Sequence, residues 1–382
     1  MALLTLCLIV LASGLAASRK FEKDIIANYI ERNYGSRSVI PTLNSSGPLN
    51  VTLRLLIAQL VDFDEPEQKL TIHAWQKMSW RDELLVWNPD DYGGQNVIHV
   101  FPSDIWMPRL VILENVNFDF SNAKEIEIII TADGSAVWYA PVMLKTSCKV
   151  HVKNFPFDIQ QCSVTFMAWT YDMSDINLRF FEDEDSKQMI YNPNGVWDVE
   201  NVNVSRVEVK YKCCEYPYPQ IVYTLSLRRA SRVYILSILV PLILLKMLTL
   251  AVFWMPAESG EKISLGMTNL LAFVLFQQLI SANMPPVGNE TAILTIYIFC
   301  MVVQSCASVC VSVYVLRLYH TPPSKPIRPC VIRLLTHLGQ QKECITWQVV
   351  SRVFDKAMFV LFLLVSILMV VISLFALSGQ EW

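Results

Sequence analysis

Residues Gly260–Pro286 read GEKISLGMTNLLAFVLFQQLISANMPP, and the character of the whole chain turns on how this stretch is read. About 20 residues of helix, rising about 1.5 Å each, cross about 30 Å of hydrocarbon, so the stretch is long enough to span a bilayer. It nevertheless carries Ser264, Thr268, Asn269, Gln277 and Gln278. A helix surrounded by lipid offers such groups no partners. Helical spacing gathers Ser264, Thr268, Leu271, Leu275, Gln278 or Leu279, and Ala282 on one stripe, with Glu261 just below it. Two readings are open. In one the stripe is a pore wall, with hydroxyls to replace ion hydration, leucines to gate by dewetting and a carboxylate to select cations. In the other it is a packed helix whose hydroxyls bond back to their own backbone.

The rest of the chain supports a membrane protein. Of 382 residues 53% are hydrophobic, and the mean hydropathy is +0.37, too apolar for an ordinary soluble enzyme. A formal charge of −3 argues against a nucleic-acid partner. Residues 1–18, MALLTLCLIVLASGLAAS, have the outline of a secretory signal peptide, although the usual positive charge is missing from the start. Sequons at Asn44, Asn50 and Asn203 suit glycosylation of an exported domain, while Asn289 lies close to the membrane.

Four apolar segments are expected to span, at 233–254, 263–282, 292–316 and 357–378. Between the third and fourth lie Arg317, Lys325, Arg328, Arg333, Lys342, Arg352 and Lys356 against Glu343 and Asp355, which places that link in the cytosol. The domain plan is therefore a signal peptide (1–18), an exported domain (19–231), three spans (232–316), a short cytosolic link with an amphipathic helix (317–356), and a fourth span with an extracellular C-terminus (357–382). On this topology Cys148, Cys162, Cys213 and Cys214 are extracellular, an even number in an oxidising compartment.

In the exported domain, Phe21, Ile25, Ile26, Tyr29 and Ile30 fall at helical spacing, so an amphipathic helix opens the mature chain. The period then changes to two. In 69–80 Leu70, Ile72, Ala74, Met78 and Trp80 share one face, which leaves Trp75 as a large aromatic on the polar face. Similar alternation recurs at 49–57, 124–130, 149–152, 207–211 and 221–227, separated by turn pairs such as Asn88-Pro89, Gly93-Gly94, Asp133-Gly134 and Asn194-Gly195. The expected fold class is a β + α membrane protein: an antiparallel β-sandwich with an N-terminal helix, followed by a four-helix transmembrane bundle. The five histidines are scattered, and no metal cluster, nucleophile triad or phosphate loop is evident, so neither a metal, a cofactor nor an enzyme is expected.

Cys148-KVHVKNFPFDIQQ-Cys162 encloses 13 residues around Phe155-Pro156-Phe157-Asp158 and precedes the four spans. It closely resembles the signature loop of Cys-loop receptors, the pentameric ligand-gated ion channels. The segments Trp75-QKMS-Trp80, WNPDDYGG from Trp87, WMP from Trp106 and Met255-PAESGEKISLG strengthen the match, nearest the nicotinic acetylcholine receptor branch. The resemblance implies disulfides Cys148–Cys162 and Cys213–Cys214. Adjacent cysteines close a ring only by distorting the peptide between them, so such a bond is held for a purpose.

The resemblance also implies a ligand cage of Trp169, Tyr211, Tyr218 and the Cys213–Cys214 loop, with Trp75 supplied by a neighbouring subunit and Tyr139 and Leu113 in the same set. Aromatic faces of this kind attract a quaternary or protonated amine. Leu113 stands where nicotinic subunits carry a cage tyrosine, and Arg109 replaces the usual acid of its motif, which points away from acetylcholine toward a larger amphipathic agonist. The pore set is Glu261, Ser264, Thr268, Leu271, Leu275 and Gln278, with Glu258 about a turn below the ring. For gating, the resemblance implies that Arg229 pairs with an acid of the exported domain, Glu65, and that Phe155-Pro156-Phe157 rests on Met284-Pro285-Pro286. Lys246, near the middle of the first span, is expected to face protein or water.

The implied partners are four further subunits, identical or related, a small-molecule agonist, permeant monovalent cations and the lipid bilayer. The chain is expected in the plasma membrane with both termini outside. The implied function is a subunit of a cation-selective ligand-gated channel. Its alternatives are the same channel opened by a neutral or lipid-like ligand, or a non-conducting accessory subunit.

Overall fold

The computed structural model describes residues 20–32, 34–43, 47–116, 125–181, 194–282, 291–329, 331–332 and 346–378. The chain divides into two compact units, Met1–Lys149 with Gln160–Arg228, and Val150–Ile159 with Arg229–Trp382. The loop Val150–Ile159 goes with the second unit. The signal segment 1–18 and Asn44 lie outside the described residues, as do Asn289 and Pro285.

The first unit opens with a helical segment over residues 20–31, α1, whose Ile25 and Ile30 are buried. Among the described residues ten strands follow in two sheets. One has the order β3 (Val97–Val100), β5 (Ile128–Thr131), β6 (Ser135–Ser147), β2 (Lys69–Arg81), β1 (Leu49–Asp64), β8 (Ile176–Phe180). The other runs β4 (Leu110–Ile112), β7 (Ile159–Ala168), β10 (Tyr218–Arg229), β9 (Trp197–Val209). In β2 burial alternates residue by residue, so the period-two pattern sets which face turns to the core. The sheets meet through Phe63 and Trp197, whose ring centroids are 5.1 Å apart, and through the Tyr223 hydroxyl, which accepts from Leu55 N at 3.1 Å.

One strand pair departs from the antiparallel pattern of the sandwich, and one expectation is corrected. The β1–β8 pair is parallel, Leu49 facing Ile176 through Leu53 facing Phe180, because β8 follows a strand of the opposite sheet and not a hairpin. Residues 149–152 alternate in sequence yet form no strand; they lie in the irregular loop between Cys148 and Cys162. At the turn Pro89–Tyr92, Gly93 has φ +62°, and a Cβ there would come within 2.5 Å of the Phe21 ring of α1, so only glycine fits.

Among the described residues of the second unit four helices are long and apolar enough to cross a membrane: α2 (Ser231–Ala251), α3 (Lys262–Ala282), α4 (Ile293–Tyr319) and α5 (Trp347–Ser378). In α2 the turns over Ile235–Leu239 are widened just before Pro241, which has no N–H to donate. The fourth helix begins about ten residues earlier than the apolar run, at Trp347. No Gly or Pro interrupts 347–378, so the expected amphipathic helix and the span are one rod. At Gly266 a Cβ would come within 2.9 Å of Val309, so α3 and α4 approach closely there.

Candidate functional site

The bonded pair Cys213–Cys214 sits in the turn between β9 and β10, and Cys148–Cys162 closes the 13-residue loop. Around the adjacent pair, the Tyr211 and Tyr218 rings meet edge to face at 5.6 Å. Tyr218 donates its hydroxyl to Cys214 Sγ at 3.8 Å. Gln220, buried one turn of strand further on, donates to the Tyr211 hydroxyl at 3.1 Å and lies 3.8 Å from Met167 Sδ near the end of β7. Trp169 follows β7 directly and is 63% exposed; its loop is tied to the Cys213–Cys214 turn by Met173 N donating to Pro217 O at 2.9 Å. Sheet order puts β7 beside β10, so Trp169, Tyr211, Tyr218 and the disulfide gather at one end of the four-stranded sheet.

Leu113 follows β4 and donates its N–H to Thr165 O at 3.0 Å, four positions before Trp169 on β7. It is exposed, and the adjacent Glu114 carboxylate accepts from Thr165 N at 2.7 Å and its hydroxyl at 2.6 Å. Trp75 and Tyr139 lie on the other sheet, in β2 and β6, where Trp75 faces Pro141 and Tyr139 faces Lys77. The candidate ligand residues therefore form two groups on different sheets. Asn50 and Asn203 are exposed, Asn50 Oδ1 accepting from Asn177 Nδ2 at 2.9 Å.

Within the first unit the Tyr34 hydroxyl donates to Asp82 at 2.6 Å and accepts from Trp106 N at 2.9 Å, in a buried cluster. Burial pushes the Asp82 carboxyl up to about 6 and, with Asp82 accepting its proton, raises the Tyr34 phenol.

In the second unit the exposed face of α3 carries Ser264, Thr268, Leu271, Leu275 and Gln278, while Lys262, Gly266, Asn269, Phe273 and Ile280 are buried against neighbours. The expected stripe is thus a single face left open by the chain's own packing. Thr268 bonds back to Ser264 O at 2.7 Å, so the back-bonding alternative holds at that hydroxyl without closing the face. The two acids at its foot differ. Glu258 accepts from the Tyr319 hydroxyl at 2.8 Å and lies 3.6 Å from Arg352, whereas Glu261 is exposed and pairs with no described cation. On the buried side Lys262 pairs with Asp355 of α5, and Asn269 donates to Thr249 at 2.8 Å. Lys246 is buried and donates to Gln304, whose amide nitrogen donates to Phe362 O at 2.9 Å and Ser366 Oγ at 3.1 Å. It faces protein, as expected for a midspan ammonium.

One partner of Arg229 was not apparent from sequence. Arg229 holds the Asp158 carboxylate, with Nε to Oδ1 at 2.7 Å and Nη2 to Oδ2 at 3.0 Å. The guanidinium also lies 4.8 Å from the Phe155 ring centroid and 5.1 Å from that of Tyr234. The only sequence signal was an acid enclosed by aromatics in Phe155-Pro156-Phe157-Asp158. Lys153 O accepts from Ile293 N at 3.1 Å, so the loop meets the start of α4; the expected rest on Pro285 lies outside the described residues.

A β-sandwich closed by a 13-residue disulfide loop, a bonded cysteine pair among tyrosines, and four apolar helices with one polar open face together define a receptor channel. Residues 22–231 match the neurotransmitter-gated ion-channel ligand binding domain, and residues 238–338 match the neurotransmitter-gated ion-channel transmembrane region. The chain belongs to the neurotransmitter-gated ion channels, as a nicotinic-type Cys-loop subunit and a multi-pass membrane receptor. It is 34% identical over 305 residues to neuronal acetylcholine receptor subunit alpha-9-II of Oncorhynchus mykiss, covering 80% of this chain and 54% of that one. It is 33% identical over 331 residues to subunit alpha-10 of Homo sapiens, covering 86% and 72%. It is 32% identical over 342 residues to acetylcholine receptor subunit alpha-type acr-16 of Caenorhabditis briggsae, covering 88% and 66%. The chain therefore spans little more than half the length of the trout relative.

Proposed function

We propose that the chain is a pore-forming, cation-selective subunit that assembles with four identical or related copies and opens when an amine-bearing ligand enters an aromatic cage between subunits. The observation that carries this reading is the free Glu261 carboxylate at the foot of the one open face of α3, beneath Ser264, Thr268, Leu271, Leu275 and Gln278. Five such carboxylates in a ring favour cations; the hydroxyls replace hydration, and Leu271 with Leu275 forms a dewetting constriction. Trp169, Tyr211 and Tyr218 make one wall of the cage, Trp75 and Tyr139 of the next subunit the other. The loop with Phe155, Pro156 and Phe157, together with Arg229, Glu65 and Pro285, couples the cage to the pore.

Leu113 and Arg109 favour an agonist other than acetylcholine, because an apolar side chain supplies neither ring face nor hydroxyl there. Reversal potentials of the expressed channel under a NaCl gradient test the filter. Glu261→Ala should reduce or abolish cation preference. An unchanged preference would move the filter to Glu258.

A further inference from the structure

We infer that Lys246, with its counterparts in the assembled channel, forms a positive ring behind the pore constriction that excludes divalent cations more strongly than monovalent ones. The inference rests on the pore reading above and adds to it a residue that sets which cations pass.

Across 233–251, 263–282, 293–316 and 357–378, Lys246 is the one residue among Asp, Glu, Lys, Arg and His. A lone charge at membrane depth is costly and marks a functional position. Its surroundings suit an ammonium. Gln304 of α4 gives both amide hydrogens to α5, at 2.9 Å to Phe362 O and 3.1 Å to Ser366 Oγ. Only its oxygen is left to face Lys246, which donates to it. Asn269 Oδ1 and Ser305 Oγ, also buried, have no described partner, so the polar atoms left over in this bundle are oxygens, the kind an ammonium favours. No described carboxylate pairs with Lys246, so its charge is uncompensated.

One bond fixes its depth. Asn269 donates to Thr249 Oγ1 at 2.8 Å, which sets Thr249 of α2 level with Asn269 of α3. Lys246 lies three residues before Thr249, about 4.5 Å nearer the outer side. Since α3 climbs toward that side, Lys246 is level with residues 271–273, the depth of the first leucine on the open face. Asn269 and Leu271 are two residues apart, about 200° around the helix, so the side of α3 that meets α2 is back to back with its open side. The ammonium therefore stands about one helix, roughly 10–15 Å, behind the constriction.

Salt does not enter packed protein, so this field is screened far less than one between charges in water. Glu261 lies ten residues down α3, about 15 Å away, and does not cancel it at the leucines. Coulomb energy scales with the charge of the ion, so the added barrier for a divalent cation is twice that for a monovalent one. Whatever factor the ring takes from Na+ passage, it takes the square of that factor from Ca2+ passage.

The test uses full-length chains carrying Leu271→Ser, whose wetted constriction conducts without ligand. Unitary Na+ conductance is measured, and reversal potentials give the Ca2+/Na+ permeability ratio. Lys246→Gln removes the charge but keeps a donor for Gln304; Gln304→Glu keeps the lysine and neutralises it. Each should raise Na+ conductance about twofold and the Ca2+/Na+ ratio by about the same factor, whereas Lys246→Arg should leave both at the parent's values. Both quantities unchanged in either neutral-ring variant, or an equal rise in Lys246→Arg, overturns the ring. So does loss of current in all three variants, which would assign Lys246 to folding alone. A Leu271→Ser parent that passes no current, or passes anions, overturns the pore reading and the inference with it.

Discussion

Asp158→Asn is the perturbation whose size the structure bears on most directly. The Arg229 and Asp158 side chains are 1% and 3% exposed, so the pair is out of water. Removing one charge from such a pair costs about 3–5 kcal/mol, because the other loses its buried counter-charge. Asparagine keeps an oxygen for Nε but turns an N–H toward Nη2, where Asp158 Oδ2 accepts at 3.0 Å. The Phe155 and Tyr234 rings stay over the guanidinium, at about 0.5–1 kcal/mol each, which places the loss near the lower end, about 3 kcal/mol. At about 2–4 °C per kcal/mol for a domain of this size, the melting temperature should fall about 6–12 °C. The assay is thermal unfolding of the full-length chain in detergent, alongside surface labelling in cells. Asp158→Asn combined with Arg229→Gln should recover at least about half of the loss, since the guanidinium deprived of the Asp158 charge is then removed as well. A single variant melting within about 2 °C of the parent, or a double variant no better than the single, refutes the reasoning.

Leu271→Ser should wet the closed constriction and give spontaneous current with higher agonist sensitivity; leak and sensitivity both equal to the parent's would shift the gate to Leu275. Leu113→Tyr should raise acetylcholine sensitivity about five-fold, at about 1 kcal/mol for one restored aromatic contact, read from concentration–response curves. Asp82 titrates higher in the fold, at about 6, than its ordinary 3.8, so the folded state binds its proton more readily between those values. Its contribution to stability therefore falls as pH rises through that window. Asp82→Asn should accordingly gain on the parent by on the order of 2–3 kcal/mol between pH 4 and 6, seen as melting curves that diverge with pH.

Much of the fold was legible because its signals are carried by consecutive residues. A twofold period in Lys69–Arg81, a run of apolar residues long enough to span, and turn pairs at Asp133-Gly134 are properties of short segments, and the strands and helices formed where these lay. The open stripe of α3 was legible for the same reason, since helical spacing alone brings Ser264, Thr268, Leu271 and Leu275 to one side. Where a local signal misled, a non-local one had won. Residues 149–152 alternate like a strand but are claimed by a closed loop, and the start of α5 is set by the absence of a helix breaker, not by the edge of the apolar run.

Sequence by itself therefore determined the elements, their faces and the two disulfide motifs, because steric and hydrophobic periodicities need only neighbours in the chain. Tertiary structure decided which charges meet. It gave Arg229 to Asp158 across 71 positions, engaged Glu258 with Tyr319 while leaving Glu261 open, and buried Lys246 against Gln304. It also set Arg54 opposite Lys77 by strand register. Charge pairing depends on distance and burial in space, and a one-residue slip in register would turn every side chain on the strand to the other face.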